Sequence, residues 1–134
     1  MTQFSVVIQQ AIYDKLSADL SYPVYDDVPQ PKDSGKKSDF PYITIGEDNL
    51  IYADTDESNR VEASIVIHTW SRYQGRLETK QIQGEIYDSL HRALLSAVGY
   101  NFVTITMQNA TSAMDADGIT RHGVQTFKLI LEER

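Results

Sequence analysis

The sequence predicts an α+β domain, a mainly antiparallel sheet of about four to five strands with two helices packed on one face. Three observations predict it. Two amphipathic stretches of helical period, Phe4 to Leu20 and about Arg76 to Ala97, flank a run of strand-like segments. Between those helices residues 60–72 alternate strictly in polarity. After them, residues 101–108 and 120–132 alternate again around an Asp117-Gly118 hairpin signal. The 134 residues are enough for one core, so a single domain over 1–134 is expected.

The first helix rests on Phe4, Val7, Ile8, Ala11, Ile12, Leu16 and Leu20, which recur at three- and four-residue steps, and Pro23 stops it. VYDDVPQ at 24–30 has β-branched and aromatic residues with a turn at Asp26-Asp27, which predicts a short strand or extended edge. The stretch 29–39, PQPKDSGKKSD, combines two prolines, a glycine and alternating charges with no apolar side chain. It cannot offset the entropy of being ordered and is expected to be a mobile surface loop. Tyr42 to Gly46 reads as a strand. A second polar connection follows over 47–59, with a mobile loop expected at about 48–59, where Asp48, Asp54, Asp56 and Glu57 gather charge around Leu50, Ile51 and Tyr52.

In the long strand from Arg60 to Arg72, Val61, Ala63, Ile65 and Ile67 point one way, and Glu62, Ser64, Val66, His68 and Trp70 the other. Gly75 breaks it. Leu77, Ile82, Ile86, Leu90, Ala93, Leu94 and Ala97 restore the helical period, and Gly99 is placed as the C-terminal stop. Both faces of the strands hold apolar residues: Val66 and Trp70 lie opposite Ile65 and Ile67, and Val124 and Ile130 opposite Phe127 and Leu129. A sheet covered on one face alone shows a cleaner alternation, so the second face is expected to be covered in part, by another subunit or by the long loops.

Composition narrows the function. Cysteine is absent, which removes disulfides, thiolate metal sites and a cysteine nucleophile. The formal net charge of -7 argues against a broad phosphate-binding surface. The amino terminus has no basic segment leading into an apolar run, and no stretch approaches a bilayer span, so a soluble protein without membrane contact is expected.

No catalytic, cofactor or metal site stands out. His68 and His122 fall in strands and His91 on a helix, without paired ligand spacing, so His68 reads as a residue of the less buried strand face and His91 as a solvated helix edge. DADG at 115–118 resembles the start of a calcium loop, but Thr120 and Thr126 stand where glycine and a bidentate glutamate are needed, and a hairpin turn is the better reading. Carboxylates at Asp26-Asp27 and at Asp54, Asp56 and Glu57 read as turn formers. Nucleophile-elbow, phosphate-loop and dinucleotide signatures are missing. Arg72, Arg76, Lys80 and Arg92 alternate with Glu78, Glu85 and Asp88, which fits either a solvated helix face or subunit pairing.

Five segments in order, VYDDVP at 24–29, FPYITIGED at 40–48, IHTWSR at 67–72, IYDSLHRAL at 86–94 and DADGITRHGV at 115–124, resemble those of the phage tail-completion family of long-tailed siphophages. That resemblance covers nearly the whole chain and implies a non-enzymatic virion protein, a tail terminator or tail-to-head joining protein at the head–tail interface, made in the host bacterial cytoplasm. Its implied partners are further copies of itself in a ring, hexameric by family analogy, the stopper protein of the head connector and the tail-tube protein. Phage DNA would pass without specific binding, and an acidic wall would repel its phosphates. The charged loop at 30–39 departs from relatives in which VPQ runs almost directly into FPY. The residues expected at interfaces are Lys32, Asp33, Lys36 and Lys37 in the first loop and Asp48, Leu50, Tyr52 and Asp54 in the second. Trp70 and Tyr73 are expected as aromatic anchors, with core packing the competing reading for Trp70. Two other readings stand beside it, a tail-tube subunit that polymerises into tubes or another ring-forming phage structural protein, and a nuclease or hydrolase accessory protein with a carboxylate-bound metal.

Overall fold

A computed structural model of the chain describes residues 3–26 and 40–134. Helix α1 (Phe4–Asp19) buries Phe4, Ile8, Ala11, Ile12 and Leu16 along one face. It ends where the Leu20 N–H bonds back to the Leu16 carbonyl. The short strand β1 (Val24–Tyr25) follows, then β2 (Tyr42–Tyr52), β3 (Arg60–Ser71), helix α2 (Leu77–Leu90), β4 (Ser96–Ala97), β5 (Tyr100–Met114) and β6 (Arg121–Glu133).

The strands form one sheet in the order β1-β2-β3-β6-β5-β4. The α+β class holds, but the sheet has six strands rather than four to five, and β1 pairs with β2 in parallel. Chain direction explains that pairing, because β1 returns from α1 already heading the way β2 will run. All other pairs are antiparallel. Since β3 and β5 both run against β6, they are parallel to each other, and α2 is the crossover between them.

Both helices cover the same face. Ile8, Ile12 and Leu16 of α1 and Ile82, Ile86 and Leu90 of α2 join Ile43, Val61, Ile65, Ile67, Ile105, Phe127, Leu129 and Leu131 in one core. Each such side chain taken fully out of water contributes roughly 1.5–3 kcal/mol. Along β3 the odd-numbered residues are buried and the even-numbered ones half-buried, as the alternation predicted.

Three boundaries differ from the sequence reading. Asp48, Leu50 and Tyr52 lie in β2, not in a loop, because a bulge between Ile45 and Asp48 resets the register and lets pairing with β3 run on to Tyr52↔Val61. The connection is therefore 53–59. The second helix stops at Leu90 rather than near Ala97, since Arg92 takes a left-handed backbone (φ 58°) and its N–H bonds to the Ile105 carbonyl. Gly99 instead serves the β4–β5 turn at φ 85°. Strand β5 extends to Met114, beyond the alternation seen at 101–108, through a bulge between Met107 and Asn109.

Candidate functional site

The face of the sheet turned away from the helices carries a connected row of rings and polar groups. Trp70 on β3 lies opposite His122 on β6, and their rings stack at 3.9 Å and 9°. The Trp70 indole N–H donates to Thr44 Oγ1 at 3.0 Å, and Tyr42 stacks beyond it at 6.3 Å. His68, two residues back along β3, brings Nδ1 within 2.6 Å of His122 Nε2 and Nε2 within 2.7 Å of Glu47 Oε1.

The β2 bulge builds this contact. A side chain on Gly46 would put its Cβ 2.5 Å from the His68 ring, so only glycine leaves space for the imidazole there. His68 Nε2 carries a proton toward the Glu47 carboxylate, and one further proton is shared between the two imidazoles. One proton on the line between the rings satisfies both, whereas two would leave N–H groups facing each other. Burial first, and then the positive charge of His68, hold the His122 pKa below the usual histidine value, against the opposing pull of Asp115 and Glu47. The bond from His68, followed by a backbone bond, holds the Glu47 carboxyl below its ordinary value.

Trp70 is therefore not in the helix-covered core. It is half-buried on the opposite face, where a large ring can meet a neighbour. Tyr73 is exposed just past β3, and its N–H donates to Ser71 Oγ at 3.1 Å. Close by, the Arg72 guanidinium sits 4.4 Å over the Phe40 ring, and Phe40, Pro41, Arg72, Tyr73 and Glu78 line a shallow hollow of about 120 Å³.

Asp48, Leu50, Tyr52 and Asp54 gather at the other end of β2, away from Trp70 and Tyr73. Leu50 packs against the core, and the exposed Tyr52 meets Phe4 edge-on at 6.1 Å. Asp54 Oδ1 accepts from the Arg60 N–H at 3.1 Å, while Arg60 Nη1 bonds Glu132 Oε1 at 2.7 Å. Lys32, Asp33, Lys36 and Lys37 lie outside the described residues. The sequence reading missed Glu47, Gly46 and the pairing of His68 with His122. Only the Trp70↔His122 register, which joins distant strands, brings those two together.

Among the described residues no three His, Asp or Glu side chains are placed to hold a metal, and no helix is long and apolar enough to cross a membrane. The arrangement is an open row of stacked rings with the exposed Glu47 carboxylate beside it.

Comparison with known proteins identifies the lineage. The family model described as tail completion protein gp17 matches residues 10–132. The chain belongs to that family. This tail completion protein is 29% identical over 122 residues to the tail completion protein gp17 of Bacillus phage SPP1, covering 90% of this chain and 88% of that one. Its fold also matches a chain in the virion of a native gene transfer agent particle, with a TM-score of 0.83, 20% identity and 96% of both chains covered. A tail completion protein is a structural component of the phage tail, and the virion tail is where this one resides.

Proposed function

We propose that this tail completion protein closes the end of the phage tail as a ring of identical copies, six by family analogy, and joins it to the stopper protein of the head connector. It does so by binding, without catalysing a reaction. The tail-tube protein contacts one side of the ring, the stopper the other, and DNA passes through the middle without specific recognition. The observation that carries this reading is the sheet itself. Helices cover one face and leave on the other a half-buried Trp70, His68 and His122 next to an exposed Tyr73, in a chain that belongs to a tail completion family. A face so rich in rings gains most when a partner removes it from water. Asp48 and Asp54 at one end of the sheet, Trp70 and Tyr73 at the other, and the charged 29–39 segment then serve as contacts to different neighbours.

The test is functional joining. Purified protein is mixed with DNA-filled heads and with tails made in an infection lacking this gene. Joined, infectious particles are expected; unjoined heads beside intact tails would overturn the proposal. Long tubes formed by the protein alone would instead identify a tube subunit.

A further inference from the structure

The outer side of β5 is taken by the chain's own residues only as far as Met107. β4 pairs with Tyr100 and Asn101, the Arg92 N–H bonds the Ile105 carbonyl, and His91 Nδ1 accepts from the Met107 N–H. The bulge between Met107 and Asn109 then inverts the alternation, so that beyond it Ala110 and Ser112 turn their N–H and C=O groups outward. Gln83 Nε2 holds the Thr111 carbonyl between them at 2.8 Å and leaves these outer groups alone. Residues 108–114, QNATSAM, contain no charge and no proline, the features that normally keep a free edge from pairing with another chain.

The opposite edge, β1, is free in the same half of the sheet. The Ile43 N–H bonds the Pro23 carbonyl, which turns the Val24 N–H and C=O away from β2. Among the described residues, no main-chain group pairs with Val24, Ala110 or Ser112 on these outer sides. Beside β1, Gln9, Gln10 and Tyr13 of α1 bound a groove of about 420 Å³ with Val24, Tyr25 and Asp26. Its one acid, Asp26, accepts from Gln9 Nε2 at 3.3 Å.

Strand register links the two edges. Val24↔Ile43↔Thr69↔Gly123↔Ser112 is one continuous row across the sheet, and Tyr25↔Thr44↔His68↔Val124↔Thr111 is the next. The pairings also make β1 run against β5.

We propose that the 108–114 edge of β5 is the docking surface for the β1 edge of a second copy of this chain, with Ser112 opposite the next copy's Val24. The inference rests on the ring reading and names the contact that builds the ring. Two copies set side by side in the same orientation bring these strands together antiparallel, at the same height and with matching pleat, so the row of one sheet runs on into the next. Ser112 and Val24 then exchange two N–H···O=C bonds. Ala110 and Ser112 share the helix-bearing side of the sheet with Val24, and their small side chains leave space for Gln9, Gln10 and Tyr13 above the groove. Because the two edges are unlike, each copy offers one of each and the contacts close by rotation.

The chain has no cysteine, so the contact can be trapped. Tyr25 and Thr111 lie four strand spacings apart within one copy, roughly 19 Å, too far for an internal disulfide. Across the proposed contact they are direct neighbours. Full-length protein carrying both Tyr25→Cys and Thr111→Cys is added to tails lacking the native protein and oxidised mildly. The expected product is a ladder of disulfide-linked oligomers up to the closed ring, while each single variant stays monomeric on a denaturing gel. Dimers from Thr111→Cys alone would overturn the pairing of unlike edges. A ring seen by microscopy without the ladder would overturn this docking surface and leave the ring reading standing; no ring from the unsubstituted chain would overturn both. Independently, Ser112→Pro removes an N–H that bonds nothing within the copy, so the monomer's unfolding transition is expected to stay in place while ring formation weakens about tenfold. Unchanged ring formation would overturn the docking surface.

Discussion

Gly46→Ala tests how the open face is built. The new methyl group would lie 2.5 Å from His68 Cδ2 and Nε2 and 3.1 Å from the Val66 carbonyl. The His68 side chain is only 14% exposed, with Glu47 on one ring nitrogen and His122 on the other, so it can escape only by giving up both hydrogen bonds. Overpacking of this kind costs about 1–3 kcal/mol. Each lost bond adds about 0.5–1.5 kcal/mol. Restricting the unfolded chain returns about 0.4–1 kcal/mol. The net loss is about 3 kcal/mol, or a fall in Tm of about 10 °C for a domain of this size. Urea and thermal unfolding followed by the fluorescence of Trp70, the single tryptophan, measure stability and the state of the face together. In a His68→Ala background the methyl meets no ring, and Gly46→Ala is expected to become neutral or slightly stabilising. An equal loss in both backgrounds would refute the reasoning.

Tyr22 donates to Glu85 Oε2 at 2.6 Å, which, with burial, pushes its pKa up to about 12. Its contribution to stability is complete below the ordinary tyrosine value of 10.0 and is lost as pH rises through about 12. Ultraviolet difference titration should find a tyrosine ionising near 12 that moves to lower pH in Glu85→Gln; a titration unchanged by that substitution would contradict the contact. His122, with its pKa depressed by burial, supports the fold fully above the usual 6.5 and progressively less as pH falls below that value. Urea midpoints measured across that range should drop on acidification in the native protein and flatten in His122→Gln, and parallel curves would exclude a burial-depressed His122. Ile86→Ala empties a fully buried position on α2 and should cost about 2–5 kcal/mol in urea unfolding. A loss under about 1 kcal/mol would mean that α2 does not seal the core as described.

Most of the core was legible in the sequence because it is periodic. The Phe4–Leu16 stripe and the Val61–Ile67 alternation report which side is inside, and both appear unchanged in the structure. What escaped are features with a local cause and no composition signal. The Gly46–Glu47 bulge carries β2 through a stretch whose acids read as a loop. Arg92 ends α2 in a left-handed conformation for which glycine is the usual mark. The parallel β1 pairing uses only two residues, too few for any period. Of the site, Trp70 was placed by alternation on the strand face of His68, with anchor and core packing both open, but its stacking on His122 follows from the Trp70↔His122 register, which no local pattern shows.

The central claim is that this chain forms a closed ring between tail tube and head connector. Cryo-electron microscopy of purified virions, with the map at the head–tail junction fitted by this fold, tests it most directly. The account predicts one ring of six copies there. Density for this fold repeated along the tube, or absent from the junction, would contradict it.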